Sequence, residues 1–446
     1  MSSAGRRPGR APIALLAAVA AAALTLAVAP AAWAGWSRPF QFTAPGSLDY
    51  LAPTLAFSAS GNAAAAFGIA DVDTPGVSQA YLSSRTARGS VSPPRAIVGA
   101  TQILDLAYDG RTLELLTGTA PAGLTCCSSA QAVAVAPNGI AGRPRTLVGG
   151  LTGTTQGQLL TLDDGQMLAA VATERGVWAV QSSRADRFGA QHLLTHGGQM
   201  PEAMSAASLG GENTVVAWTA ATGTAGTATP RSIYVSGGTR RTPPHRSRVA
   251  ITVPAGHRID ELAVARRGGG ATAAWVQSWY DRRTVFHSEV QAADLVLHPQ
   301  VSTVDSGAGR IASGLEIAAD AKGAQELTWS SCTTEARCTV QTAGRGAGAG
   351  AGFGNPRSLG AIDPAQSPAV AVGARSRVVV GWIAGGHPMA AVAAGPGASF
   401  GASSTLSSTL YALNLTVAYG PSRQALAAWT QGTLNPSVVG AAYTGR

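Results

Sequence analysis

Charge is scarce in this 446-residue chain. Asp, Glu, Lys and Arg make up 12% of it, about half of the roughly 25% usual for soluble proteins, and Lys322 is the only lysine. A nucleic-acid surface would gather basic residues on one stripe. Here the arginines are scattered, and the preference for Arg with abundant Ala and Gly reads as the codon bias of a GC-rich bacterial genome. The seven histidines show none of the spacings that hold zinc, so no metal and no cofactor is expected. Beyond Ala34 there is no apolar run of membrane-spanning length, and only four cysteines occur. With so little charge, the surface must consist largely of Ser, Thr, Gly, Gln and Ala.

The start of the chain has the layout of an export signal. Arg6, Arg7 and Arg10 form a basic region, Ile13 to Ala29 an Ala/Leu/Val core, and Ala32-Trp33-Ala34 an A-x-A cleavage site. Residues 1–34 are therefore expected to be removed, leaving 35–446 as one secreted domain, possible cell-wall association included. An uncleaved anchor helix is the alternative. The Arg6-Arg7 pair hints at a twin-arginine route, but Pro8 and Gly9 stand where apolar residues would be wanted, which favours the general pathway. Loss of the three arginines lowers the formal charge from +9 to about +6.

What is present in quantity is a repeat. Asp260 to Trp275 reads as an apolar run, a Gly turn and a small-residue run ending in Trp, the plan of a β-hairpin. Taking the last apolar position of the second strand as a pivot gives Phe67, Leu116, Val171, Trp218, Trp275, Trp329, Trp382 and Trp429, spaced 47 to 57 residues apart. Each copy continues with a third strand and a fourth, the fourth often led by Phe-Gly, as at Phe188, Phe353 and Phe400. Four short antiparallel strands per repeat of this length is the arithmetic of a β-propeller blade. The pivot tryptophans then pack between neighbouring blades.

The eighth copy stops after its third strand, and Gly35-Trp-Ser-Arg-Pro-Phe-Gln-Phe42 matches a fourth strand with no hairpin before it. The sequence thus predicts an all-β chain, a single ring of eight four-stranded blades closed by the N-terminal strand, with seven blades as the alternative and a monomer expected. The Gly/Ala tract Gly344 to Gly354 is read as a flexible loop inside the sixth blade. The repeats Pro368-Ala-Val-Ala-Val and Leu262-Ala-Val-Ala to Trp275 resemble those of bacterial secreted β-propeller proteins with sialidase-like rings and no assigned activity. That resemblance implies the architecture and no chemistry.

Candidate sites follow from the ring. Turns between second and third strands share one face, and the long ones are 68–76, 117–130, 219–231 and 276–283. Trp279-Tyr280-Asp281-Arg282-Arg283 suits sugar stacking with hydroxyl hydrogen bonds; a turn tucked against its own blade is the alternative. Cys332 and Cys338 flank one hairpin turn and can form a disulfide. Cys126 and Cys127 are left as a vicinal pair, either a stiffened loop or a sulfur platform for a ligand. Such pairs invite comparison with quinoprotein alcohol dehydrogenases, whose blade-docking sequence and Asp-rich calcium site are missing here. Asp71-Val-Asp73 partly resembles a calcium loop but lacks its further ligands. Asp boxes of the Ser-x-Asp-x-Gly-x-x-Trp kind are absent, and the paired carboxylates Asp163-Asp164 and Asp260-Glu261 point to opposite faces of their strands. The basic run Arg240 to Arg248 reads as a solvated loop, or as a contact for anionic cell-wall polymer. The preferred reading is a secreted, non-catalytic scaffold binding a carbohydrate, cell-envelope polymer or protein, with no nucleic-acid role. An extracellular glycan-acting hydrolase or lyase is the alternative.

Overall fold

A computed structural model describes residues 35–43, 49–70, 78–110, 112–119, 127–151, 155–183, 187–196, 199–222, 231–333, 336–348, 350–373, 375–421, 423–432 and 436–445. These form eight antiparallel sheets, each wound up in sequence order, and no helix. Blade 5 is representative, with strands Arg258–Arg267, Gly270–Tyr280, Phe286–Asp294 and Ser302–Ala308 paired in that order. The first strands of successive blades touch one another all the way round, and that of blade 8, Ala412–Tyr419, meets Thr54–Phe57 of blade 1. The chain is an eight-bladed propeller.

Closure is as expected. The third strand of blade 8, Ser437–Thr444, takes Gly35–Trp36 and Phe40–Gln41 as its outer partners. Ser37 N–H donates to the Ala442 carbonyl at 2.7 Å and Phe42 N–H to that of Val438 at 2.8 Å. A sheet edge that would otherwise stand open is thereby paired.

The seams between blades hold the core. Trp218, Trp275, Trp329, Trp382 and Trp429 are at most 1% exposed, and each packs against the preceding blade. Blade 2 differs from the sequence expectation. Leu116 packs toward blade 3, whereas Leu113 and Leu115 pack toward blade 1. Side chains alternate along a strand, so the position of the tryptophans falls on Thr117, which is fully buried. One residue of miscounting from the glycine turn moves a side chain to the other face.

Polar side chains on the first strands tie the blades together around the channel. Asp105 accepts the Leu159 N–H at 2.7 Å, Gln158 that of Ala206 at 2.6 Å, and Ser205 that of Val264 at 2.9 Å. Glu261 takes both Gly314 and Leu315 N–H, at 2.9 and 2.6 Å, and Glu316 takes Val370 N–H at 2.9 Å. In most of these strands a register shift sits just ahead of the residue, and such a bulge re-aims the side chain, here toward the next blade.

The Gly/Ala tract of blade 6 carries specific contacts rather than forming a featureless loop. Arg267 of blade 5 reaches into it and donates to the carbonyls of Gly346, Gly348 and Ala351. At Gly344 the chain passes so close to Gly397 that an added Cβ would lie 1.9 Å from its nitrogen, so only glycine fits.

Candidate functional site

Blade 5 projects the aromatic turn foreseen in the sequence. Its second strand runs eleven residues, from Gly270 to Tyr280, past the pivot Trp275 and out onto the face of the second-to-third-strand turns. Register places Trp279 opposite His287 and Tyr280 opposite Phe286. His257, just ahead of the first strand, covers the other side of Trp279. The three rings form a sandwich, His257 to Trp279 at 4.3 Å and Trp279 to His287 at 5.0 Å between centroids, nearly parallel. Both faces of Trp279 are thus taken by imidazoles.

The turn itself is organised by Asp281. Its Oδ1 accepts the N–H groups of Arg283 and Val285, at 2.8 and 2.9 Å, and its Oδ2 lies 3.3 Å from His287 Nε2. The Val285 N–H chiefly holds the Asp281 carboxyl below its ordinary range, with His287 and the Arg283 N–H adding to it. Burial lowers His257, Arg231 adds to that and Glu289 opposes it; Gln277 Nε2 sits 2.7 Å from its Nδ1. Tyr280 remains 69% exposed, resting edge-on against Phe286, and Arg282 and Arg283 are exposed beside it. The surface on offer is one phenol ring and two guanidinium groups on a turn pinned by hydrogen bonds.

Toward the channel mouth, Arg258 pairs with Asp260 at 2.6 Å and approaches Glu202 at 3.9 Å. Ser278 donates to the other oxygen of Asp260. Asp260 and Glu261 do face opposite ways, one to this cluster and the other to the backbone of blade 6. Asp163 and Asp164 lie in the turn after Thr161 and not on a strand as expected, and they still reach different partners: Asp163 accepts the Gly211 N–H, and Asp164 pairs with Arg240 at 3.0 Å. Arg240 also pairs with Glu212, so the head of the basic run is neutralised. Among the described residues no cluster of His, Cys, Asp and Glu could hold a metal ion.

Cys332 and Cys338 form a disulfide across their hairpin, with Cα atoms 4.0 Å apart. Cys127 is buried and disulfide-bonded, while Cys126 lies outside the described residues. So do Asp71 and Asp73, and most of the long turns 68–76, 117–130 and 219–231. What sequence reasoning missed is the pair of histidines. They lie 22 and 8 residues from Trp279, and only the strand register stacks them. The matching positions of Trp279 and His287 across a turn are the one signal that could have found them.

No protein-family model and no curated protein matches the chain. Solved structures do resemble it. A protein of unknown function from Dyadobacter fermentans DSM 18053 aligns at 9% identity over 93% of this chain and 100% of its own, with a TM-score of 0.45. A PL25 ulvan lyase bound to -[GlcA(1-4)Rha3S]- aligns at 12% identity over 90% of this chain and 95% of its own, TM-score 0.49. A Hadza microbial sialidase aligns at 10% identity over 90% of each chain, TM-score 0.42. The fold assignment rests on the strand order above, and the functional reading on this chain's own residues.

Proposed function

We propose that the chain is a secreted, non-catalytic propeller that binds carbohydrate through the blade 5 turn, after removal of residues 1–34, and acts as a monomer. The observation that supports this most is Tyr280, a large aromatic held out to solvent on a turn that Asp281 pins, beside Arg282. An exposed phenol suits the apolar face of a sugar ring, and the guanidinium its hydroxyl or acidic substituents. Trp279, closed on both faces, positions Tyr280 instead of meeting the sugar itself. A scaffold role also suits Asp105, Glu261 and Glu316, which accept backbone N–H groups of the next blade and so act as ties between blades.

A second reading, a glycan-acting enzyme, draws on one cluster, the His257, Glu202, Arg258 and Asp260 groups around the channel mouth. The two readings part on a glycan and cell-wall array probed with wild type, Tyr280→Ala and His257→Gln. Saturable binding lost in Tyr280→Ala and kept in His257→Gln supports the scaffold. Binding that survives Tyr280→Ala would overturn it.

A further inference from the structure

The seam between blades 1 and 2 lacks side chains that its counterparts contain. In several blades the residue that leads the fourth strand drops a side chain into the seam with the preceding blade, and the next residue donates its N–H back to the third strand. That donor is Gly142 in blade 2, Gly354 in blade 6, Gly401 in blade 7 and Ser37 in blade 8. The seam residues before them are Ala141, Phe353, Phe400 and Trp36, and each joins the apolar cluster of its seam. Three seams are filled by an aromatic ring, and this one receives a methyl group.

A cation and a carboxylate accompany the ring elsewhere. In the seam of blades 6 and 7, Arg357 lies over Phe400 at 5.8 Å and meets the fully buried Glu326 at 3.4 Å. In that of blades 5 and 6, Arg345 lies over Phe353 at 4.5 Å and pairs with Asp294 at 2.6 Å. The strand register identifies the equivalents in blade 1. Thr342 pairs with Thr328 and Arg357, as Leu82 pairs with Ala66 and Arg95, so Arg95 stands where Arg357 does and Ala64 where Glu326 does. The arginine even keeps its anchor: Arg357 donates to the carbonyls of Gly397 and Ala398, and Arg95 to that of Asn138 at 3.3 Å. Ring and carboxylate are both gone. Among the described residues Arg95 has no acidic partner, and a cavity of about 740 Å³ opens beside it, with Leu82, Leu113 and Val135 as apolar wall and Ser60, Asn62 and Tyr108 as polar wall.

We propose that this cavity is a binding site for a carboxylate-bearing six-membered ring, a hexuronic acid residue in the first instance. Its ring takes the place of Phe400 under the guanidinium, its carboxylate the place of Glu326, and its hydroxyls meet the serine and asparagine side of the pocket. The volume lies within the range of small-molecule sites. The site opens on the face opposite the blade 5 turn and does not depend on that reading.

Isothermal titration of the purified protein with D-glucuronate, D-glucose and benzoate tests it. Glucuronate should bind saturably and glucose should not. The titrations are run in the Tyr280→Ala background, so that the blade 5 turn contributes nothing, and there Arg95→Gln should weaken binding on the order of ten- to a hundredfold. Ala141→Phe, which installs the side chain that other seams already carry, should abolish binding while the circular dichroism spectrum stays that of wild type, and it reads the site even if Arg95→Gln misfolds. Tighter binding of benzoate than of glucuronate would keep the site and assign it to aromatic acids. Glucose binding as well as glucuronate, no uptake of either acid at millimolar concentration, or undiminished binding in a folded Ala141→Phe would each overturn the proposal.

Discussion

At the scale of single residues, the carboxylates of the channel wall are the most consequential. Burial raises Asp105 and Glu316 to about 7 each, against the lowering effect of the backbone N–H groups they accept. A carboxyl raised in the folded state holds a proton that the unfolded chain has already lost, so folding is favoured below the unfolded value near 4 and loses that advantage as pH climbs to 7. Gln158 does the same job without a charge. Asp105→Asn with Glu316→Gln should therefore gain on wild type in melting temperature from about pH 4 to pH 7 and hold a constant gain above it. A difference independent of pH, measured by thermal melts across that window, would contradict the assignment. None of these residues was legible as a set in the sequence, because Asp, Gln, Ser and Glu do one job at positions that bulges shift from blade to blade.

At the scale of the element, the blade was readable and its exceptions were not. Hairpin, pivot and Phe-Gly recur because each blade must bury both faces against a neighbour, which fixes large side chains at fixed places. Thr117 broke the pattern because the eye follows the apolar Leu116, and a glycine turn does not say which face the sixth or seventh residue takes. The pivots are also not equal. Trp329 donates its indole N–H to Asp305 at 3.1 Å, whereas the indole nitrogen of Trp275 is buried with no partner. Trp329→Phe should thus cost about 1–2 kcal/mol more than Trp275→Phe, since it removes the hydrogen bond to the half-buried Asp305 carboxylate. Equal losses in denaturant melts would show that the hydrogen bond contributes nothing. Truncation of either to Ala should cost about 3–5 kcal/mol.

At the scale of the whole molecule, the ring is held by its N-terminal strand and by the chain of polar ties between first strands. Removal of residues 35–43 would leave the outer edge of Ser437–Thr444 bare and expose Val438, which is now buried beside Phe42. Such a chain should lose its cooperative melt and associate through the open edge, visible as a mass above that of the monomer in light scattering. A monomeric product that melts like wild type would mean that closure is dispensable. The closing strand was legible because it is a fourth strand without a hairpin. The face proposed for binding was legible only as a set of long turns, most of which lie outside the described residues; the sequence named Trp279 and Tyr280 together, and only the strand register shows that histidines cover the first and leave the second exposed.

Whether the molecule holds a glycan without cutting it is the central claim, and saturation-transfer NMR on one oligosaccharide selected from the array addresses both halves in a single tube. The scaffold account predicts transfer from protein to sugar protons, its loss in Tyr280→Ala, and anomeric signals that do not change over a day with wild type. New anomeric or unsaturated-sugar signals, or equal transfer in Tyr280→Ala, would contradict it.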